Sequence, residues 1–487
     1  MTSADLHPQL TPILDLFAAI SAVPRPSGHE AAIASWLLKW GEKQGFESVR
    51  DSVGNIVIRV PATPGMEQAP TLILQNHMDM VCEKEPESRH DFRNDPLRLV
   101  TEGDWLRADE TTLGADNGIG MALALALATH PALAHPELEL LFTVEEETGL
   151  TGAQGLDASL LKGRLLLNLD SEREGLFTIG CAGGEEIHLE LPMERNPLPP
   201  AWRVATVTAA GLQGGHSGMD IAKGRGNANK ILAELLDTLD SEGALRILSL
   251  QGGSRSNVIP RRAEAVVAFP PEASGAVAER LQRFAAEIAG RFAEAEPDLV
   301  VTLSVPVAAG VDRRALTPES AGRCLRLLLE IPDGVRRMEK NAPELVATSN
   351  NLAVIRCEEG ALQVLSLQRS SRMAELDLLS AEIAGLAARL GGRSRTDGRY
   401  PAWEPQPDSA LLRHCCDLYR RLFQTEPVLH VTHGGLECGV LSAKLPGAEM
   451  LSLGPDIENP HSPGERAHLP SIVRVYYFLQ ILLGSLG

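Results

Sequence analysis

Four short runs rich in apolar and β-branched residues, at 54–60 (GNIVIRV), 71–76 (TLILQN), 138–144 (LELLFTV) and 164–169 (RLLLNL), constrain this chain most. They are nearly continuous in apolar character instead of alternating, which marks strands buried on both faces. Helix-like segments separate them: 8–23 and 28–45 have amphipathic periodicity, and Gly118–Thr129 reads as a buried helix. Strands that alternate with helices in this way predict an α/β domain, a parallel or mixed sheet covered by helices.

After NPLPPAW (196–202) the pattern changes. It reads strand 203–210, helix 227–240, strands 245–250 and 263–269, helix 274–293. A second set then follows: strand 299–305, helix 317–330, strands 351–357 and 361–368, helix 372–391. Two successive sets of the same order predict an α+β lid of two β-α-β-β-α halves. A Gly-, Pro- and Arg-rich loop at 391–408 leads to a helix at 409–423, a strand near 449–453 and a closing helix at 470–485. The expected organisation is a discontinuous catalytic domain, 1–186 and 397–487, with the lid 187–396 inserted into it.

The chain has 487 residues, too many for one ordinary domain, and 44% are hydrophobic, enough for a substantial core. Its formal net charge of −19 argues against nucleic acid or an anionic membrane as partner. The N-terminal MTSADLHPQL lacks the basic-then-apolar pattern of a secretory signal, and the apolar stretch Met121–Ala128 is too short to span a bilayer. Seven scattered cysteines without C-x-x-C spacing read as reduced thiols. A cytoplasmic protein is expected.

Several acids and histidines fall just beyond the predicted strands: His77 and Asp79 after the second, Glu145, Glu146 and Glu147 after the third, Asp170 after the fourth, and His461 beyond the strand that contains Leu451. Asp116 stands just before the buried helix. Each alone has an ordinary explanation, Asp116 as a helix N-cap and the three glutamates as a solvated loop. Together they are harder to dismiss, because ligands bind at the carboxyl ends of strands in open α/β sheets. Strand alternation does not decide which of Glu145, Glu146 and Glu147 would act.

Seven segments carry a family resemblance: His77-Met-Asp79, Gly114-Ala-Asp116-Asn-Gly118, Glu146-Glu147-Thr-Gly149, Asn168-Leu-Asp170-Ser-Glu172, Gly214-Gly-His216-Ser-Gly218, His433-Gly-Gly-Leu-Glu437 and His461-Ser-Pro-Gly-Glu465. In content and order they resemble the co-catalytic zinc peptidases of the aminoacyl-histidine dipeptidase type. The resemblance implies two Zn²⁺ per chain, with Co²⁺ or Mn²⁺ able to use the same ligands. Asp116 would bridge the two ions, His77 and Asp170 complete one site, and Glu147 and His461 the other. Imidazole nitrogen and carboxylate oxygen suit zinc. Asp79 would orient His77 by accepting its second ring N–H. The match to Glu-Glu-x-Gly assigns Glu146 as general base and Glu147 as ligand, although Glu145 stands where the family usually has Asp.

In the lid, the resemblance implies that His216 donates to the oxyanion on closure. Asn257 and Arg369 would contact substrate, the guanidinium gripping a terminal carboxylate. Gly434 and Gly435 would line the pocket. Cys82, Glu437 and Cys438 receive no chemical role. The expected substrates are small peptides such as Xaa-His dipeptides, and a homodimer through the lid is among the expectations. An N-acyl amino acid deacylase with the same ligands is the nearest rival, and an inactive metal-binding scaffold a remoter one. No G-x-S-x-G, H-E-x-x-H or P-loop motif is present.

Overall fold

The computed structural model of the chain describes residues 8–240, 245–304, 313–340, 342–358 and 360–487. Thus residues 1–7, read above for a targeting signal, and residue 305, the last of an expected strand, lie outside the described residues. The chain folds into two compact units: 1–181, 403–431 and 436–487 form the first, 182–402 and 432–435 the second.

In chain order the first unit contributes helices α1 (Leu10–Ser21), α2 (Ala31–Gln44) and α3 (Ala115–Ala128). The strands it gives to its main sheet are β1 (Glu47–Arg50), β2 (Ile56–Val60), β3 (Leu72–His77), β4 (Leu138–Thr143), β5 (Leu165–Asn168) and β6 (Leu176–Cys181), with a smaller four-stranded sheet beside them that includes Leu99–Glu102 and Trp105–Ala108. The second unit holds β7 (Gly183–Pro192), β8 (Arg203–Ala210), α4 (Ala228–Leu239), β9 (Arg246–Gly252), β10 (Ala263–Phe269), α5 (Ser274–Arg291), β11 (Val300–Ser304), α6 (Pro318–Glu330), β12 (Ala342–Glu358), β13 (Ala361–Ser370), α7 (Met373–Arg389) and β14 (Arg393–Tyr400). The chain then returns with α8 (Ala410–Phe423), β15 (Val428–Thr432), α9 (Glu437–Lys444), β16 (Glu449–Ser452) and α10 (Leu469–Gly484).

The first unit is an α/β layer structure around one mixed sheet, ordered β1-β2-β4-β3-β5-β16-β6-β15. Its centre is parallel, β3 pairing in parallel with β4 and β5, and β5 with β16. Every residue of β3 and β4 is buried, as the continuous apolar runs require. α3 packs in the core with α1 and α10, all but Asp116 of its residues being buried. At Gly118 a Cβ would run into the ring of Phe17 and the guanidinium of Arg25, so only glycine lets α1 approach this closely.

The second unit is built on one nine-stranded sheet, ordered β11-β8-β10-β9-β12-β13-β7-β14, with the strand Gly334–Glu339 added beside β12. It consists of two halves of one design. The outer half runs β7-α6-β12-β13-α7-β14, and the inner half, β8-α4-β9-β10-α5-β11, is inserted between its first strand and first helix. Local signals fix the helix starts: Asn227 caps α4 by accepting the Asn229 N–H, and Thr317 caps α6 with Pro318 as its first residue.

This corrects the expected halves in three respects. The strand expected at 299–305 to open the second half pairs with β8, from Thr206↔Ser304 to Ala210↔Val300, and so closes the first half. The opening strand of the outer half is β7, far upstream. The expected loop at 391–408 contains β14, which pairs with β7 from Arg393↔Glu190 to Tyr400↔Gly184. Because β7 and β14 lie whole within one sheet, the unit boundaries fall at 181/182 and 402/403 instead of 186/187 and 396/397. Residues 432–435 also go with the second unit.

Candidate metal centre and substrate residues

Register puts the first unit's acids and histidines side by side. β3 and β5 pair Gln75 with Asn168, so His77 and Asp170, each two residues further on, leave the sheet at the same level. β3 and β4 pair His77 with Thr143, which delivers Glu146 and Glu147 to the same end. His461 arrives from the loop beyond β16.

The five expected ligands are brought together. His77 Nε2 lies 2.9 Å from Asp116 Oδ1 and 3.2 Å from Asp170 Oδ1. His461 Nε2 lies 3.2 Å from Asp116 Oδ2 and 3.1 Å from Glu147 Oε1. The two oxygens of Asp116 therefore face different imidazoles. Ligand atoms at the corners of a tetrahedron with bonds of about 2.0 Å stand about 3.3 Å apart, close to these separations. Donor types and spacing both fit a pair of divalent cations. Glu146 joins His77 and Glu147 in an overlapping group within the same reach, so geometry alone does not separate base from ligand.

The electrostatics are those of crowded charges. Burial alone would lower the His77 imidazole, but Asp170, Asp116 and Asp79 around it hold it well above its ordinary value. Hydrogen bonding to Asp116 and Glu147 pushes His461 up to about 11. Burial opposes ionisation of Asp116, yet His461 and His77 pull its carboxyl well below the usual range. Burial, with Asp116 nearby, raises Asp170 to about 6. Burial and the neighbouring Asp170, Glu147 and Glu437 carboxyls hold Glu146 well above the carboxylate range, against the pull of His77.

Asp79 does more than was expected of it. The nearest acceptor for His77 Nδ1 is the Asp79 backbone carbonyl at 3.2 Å, with the carboxylate Oδ1 at 3.4 Å. The carboxylate itself accepts the Ser27 hydroxyl and the backbone N–H groups of Glu146 and Glu147, at 2.8, 3.1 and 3.2 Å, and so ties the glutamate loop to the histidine loop. Two further groups, given no role from the sequence, hold the frame. The buried Glu465 carboxylate accepts the N–H groups of Leu113, Gly114, Ala115 and Asp116 at 2.7–3.3 Å, fixing the turn that presents Asp116. The buried Arg25 guanidinium donates to the carbonyls of Met78, Asp79 and Gly114, joining that turn to the His77 loop. Asn117 donates to Asp170.

In the second unit, His216 follows Gly215, whose φ of +134° and lack of room for a Cβ beside Arg225 and Asp220 require glycine. Its Nδ1 accepts the backbone N–H groups of Gly218 and Met219, at 3.1 and 3.2 Å. The neutral ring must then carry its proton on Nε2, as a donor. Arg369, on β13, is buried. Its Nη1 donates to the Tyr400 hydroxyl at 2.6 Å and its Nε to Ser217 Oγ at 3.4 Å, and among the described residues no carboxylate pairs with it. A buried cation without a counter-ion suits an anionic ligand. Asn257 is exposed, and its carbonyl accepts the Ser217 N–H at 2.8 Å. Gly434 is buried, and Gly435 lies against the Tyr400 ring. Beside them His433, which had no assigned role, bonds Ser349 Oγ at 2.7 Å. Burial and the nearby Arg369 lower it to about 3, so it is neutral.

The chain is similar to several known proteins. The M20 family model described as a peptidase dimerisation domain matches residues 207–296, most of the inserted half. Cytosol non-specific dipeptidase of Escherichia coli K12 is 37% identical over 480 residues, 99% of this chain and 98% of that protein. The crystal structure of aminoacylhistidine dipeptidase from Vibrio alginolyticus superposes with a TM-score of 0.87 at 37% identity, covering 99% of this chain and 97% of that one. Aminopeptidase PepT of Bacillus cereus, at 15% identity and a TM-score of 0.57 over 98% of both chains, shares the fold.

Proposed function

We propose that this chain, which belongs to the M20 metallopeptidase family and is a peptide-bond hydrolase of the dipeptidase kind, cleaves Xaa-His and related dipeptides at a two-zinc centre with Glu146 as general base. The observation that carries the reading is Asp116, whose two oxygens face His77 on one side and His461 on the other. Asp116 would be shared by the two ions, His77 and Asp170 holding one, Glu147 and His461 the other. Zinc bound there supplies an acidified water and polarises the scissile carbonyl. Glu146 takes the proton of that water and passes it to the leaving amine. Asp79 keeps His77 in the tautomer with its Nε2 lone pair free. We assign the His216 Nε2–H to the developing oxyanion and the Arg369 guanidinium to the terminal carboxylate of the dipeptide. Asn257, Gly434 and Gly435 are assigned to the rest of the substrate.

Among the described residues no helix is long and apolar enough to cross a membrane. We infer a cytoplasmic location, as the Escherichia coli relative's name states for that protein.

The test is a turnover panel of free dipeptides, Xaa-His and β-alanyl members included, beside N-acetylated amino acids. Dipeptides should be hydrolysed and the acetylated compounds left intact. The opposite preference would make the chain a deacylase, and a zinc-loaded protein inert on the whole panel would make it a scaffold.

Metal loading should also release protons. Without metal both imidazoles hold theirs at pH 7, because their pKa values lie above the ordinary ~6.5. Nitrogen must give up its proton to bind a cation, so calorimetry in buffers of different ionisation enthalpy should report at least two protons released per chain at pH 7. Raised histidines stabilise the metal-free fold fully below about pH 6.5, and that contribution is lost as pH climbs toward 11. The metal-free melting temperature should therefore fall over that range.

A further inference from the structure

Glu437, the first residue of α9, is a fully buried carboxyl that the mechanism above does not use. Its Oε2 accepts two hydrogen bonds of 2.6 Å, from Gln75 Nε2 on β3 and from Thr143 Oγ1 on β4. The Gln75 carbonyl oxygen in turn accepts Asn168 Nδ2 on β5 at 2.6 Å, and Asn168 Oδ1 accepts the Ser452 hydroxyl on β16 at 2.5 Å. Four adjacent strands are thus joined side chain to side chain, and all five of these residues are fully buried. Their positions along the strands match the site. Gln75 lies two residues before His77, Thr143 three before Glu146 and Asn168 two before Asp170.

Polar side chains do not collect inside a sheet without cause, since each costs free energy unless paired. The backbone ladder already sets the register of these strands, so the chain of bonds is superfluous for pairing. What it adds is a lateral tie at the level from which the ligand-bearing loops depart. We propose that Glu437 is a positioning residue of the metal centre, the common anchor that fixes the spacing of the His77, Glu146–Glu147 and Asp170 loops. This rests on the two-metal reading above.

The chemistry suggests a clean set of variants. Both bonds converge on Oε2, while Oε1 has no partner among the described residues. An amide can place its oxygen at Oε2 and keep both bonds, and because burial pushes the acid up to about 8, glutamine also resembles its neutral form. Leucine fills similar space and keeps neither bond.

The experiment compares wild type, Glu437→Gln and Glu437→Leu by chelator competition for zinc and by the visible spectrum of the Co²⁺-loaded protein, with melting of the metal-free forms as control. The leucine variant should bind zinc ~10–100-fold more weakly, the usual effect of losing a partner that orients ligands, and its cobalt spectrum should shift. The glutamine variant should stay close to wild type in both. A residue that merely filled the core would lower the melting temperature and leave the cobalt spectrum unchanged. Should the leucine variant fail to fold, Thr143→Val and Gln75→Met each remove one of the two bonds to Glu437, the second also the bond from Asn168, and should weaken zinc in the same direction. Wild-type affinity and spectrum in a folded Leu, Val or Met variant would overturn the anchor alone, as would a glutamine variant as impaired as leucine. A wild type that does not take up two ions would instead overturn the reading beneath it.

Discussion

Glu146→Gln is expected to keep about two metal ions per chain and to lose at least ~10³-fold in kcat on dipeptides, within the range that a positioned general base contributes. The substitution keeps the shape of the side chain, and the backbone N–H of residue 146 still donates to Asp79. What disappears is the basic oxygen. An amide cannot take the proton of the attacking water or return it to the amine, so the loss should fall on kcat far more than on KM. Metal content by atomic emission, paired with steady-state turnover, reads both halves of the statement. Loss of one ion together with activity would mean that Glu146 is a ligand, as its grouping with His77 and Glu147 also allows, and the roles of the two glutamates would then be exchanged.

Asp116→Ala should have the largest effect on composition: metal content should fall from about two ions to none retained through gel filtration. His461→Ala should retain one. The asymmetry follows from placement. Asp116 presents one oxygen to each histidine, so its removal takes a charged ligand from both positions, whereas His461, among the described residues, is paired only with Asp116 and Glu147. Without the metals, His77 and His461 also lose the carboxylate that both share. A single ion left firmly bound in Asp116→Ala would show that the two positions do not depend on a common ligand.

The arrangement of the site was legible where it depends on periodicity and strand order. Buried apolar runs announced a parallel or mixed sheet, and residues just past such strands converge whatever their separation along the chain. Motif resemblance proposes Glu146 among the three glutamates, where alternation could not choose and the geometry leaves Glu146 and Glu147 alike. Arg25, Glu437 and Glu465 were not legible in the same way. Arg25 sits in VPRPSG and reads as a loop residue, yet it lies in the core bonded to carbonyls 53 to 89 positions away. Glu465 grips a turn about 350 residues upstream. A buried charge that orders distant backbone leaves no local pattern, only an acid or base in a plausible loop. β14 was missed for a related reason. RSRTDGRY has no apolar face because the strand is almost wholly exposed, and its pairing with β7 is an alignment of backbone groups.

The half-within-half construction of the second unit bears on how its two copies can diverge. They meet at the pairing of β9 with β12, Leu250↔Cys357 to Gly252↔Ile355. Were such a junction formed by two identical molecules, every substitution would appear on both sides at once, and dilution would pull the sides apart. Carried on one polypeptide, the two sides stay together at any protein concentration and can mutate singly. Their present contents differ accordingly: the inner copy bears His216 and Asn257, the outer one Arg369 and Ser349.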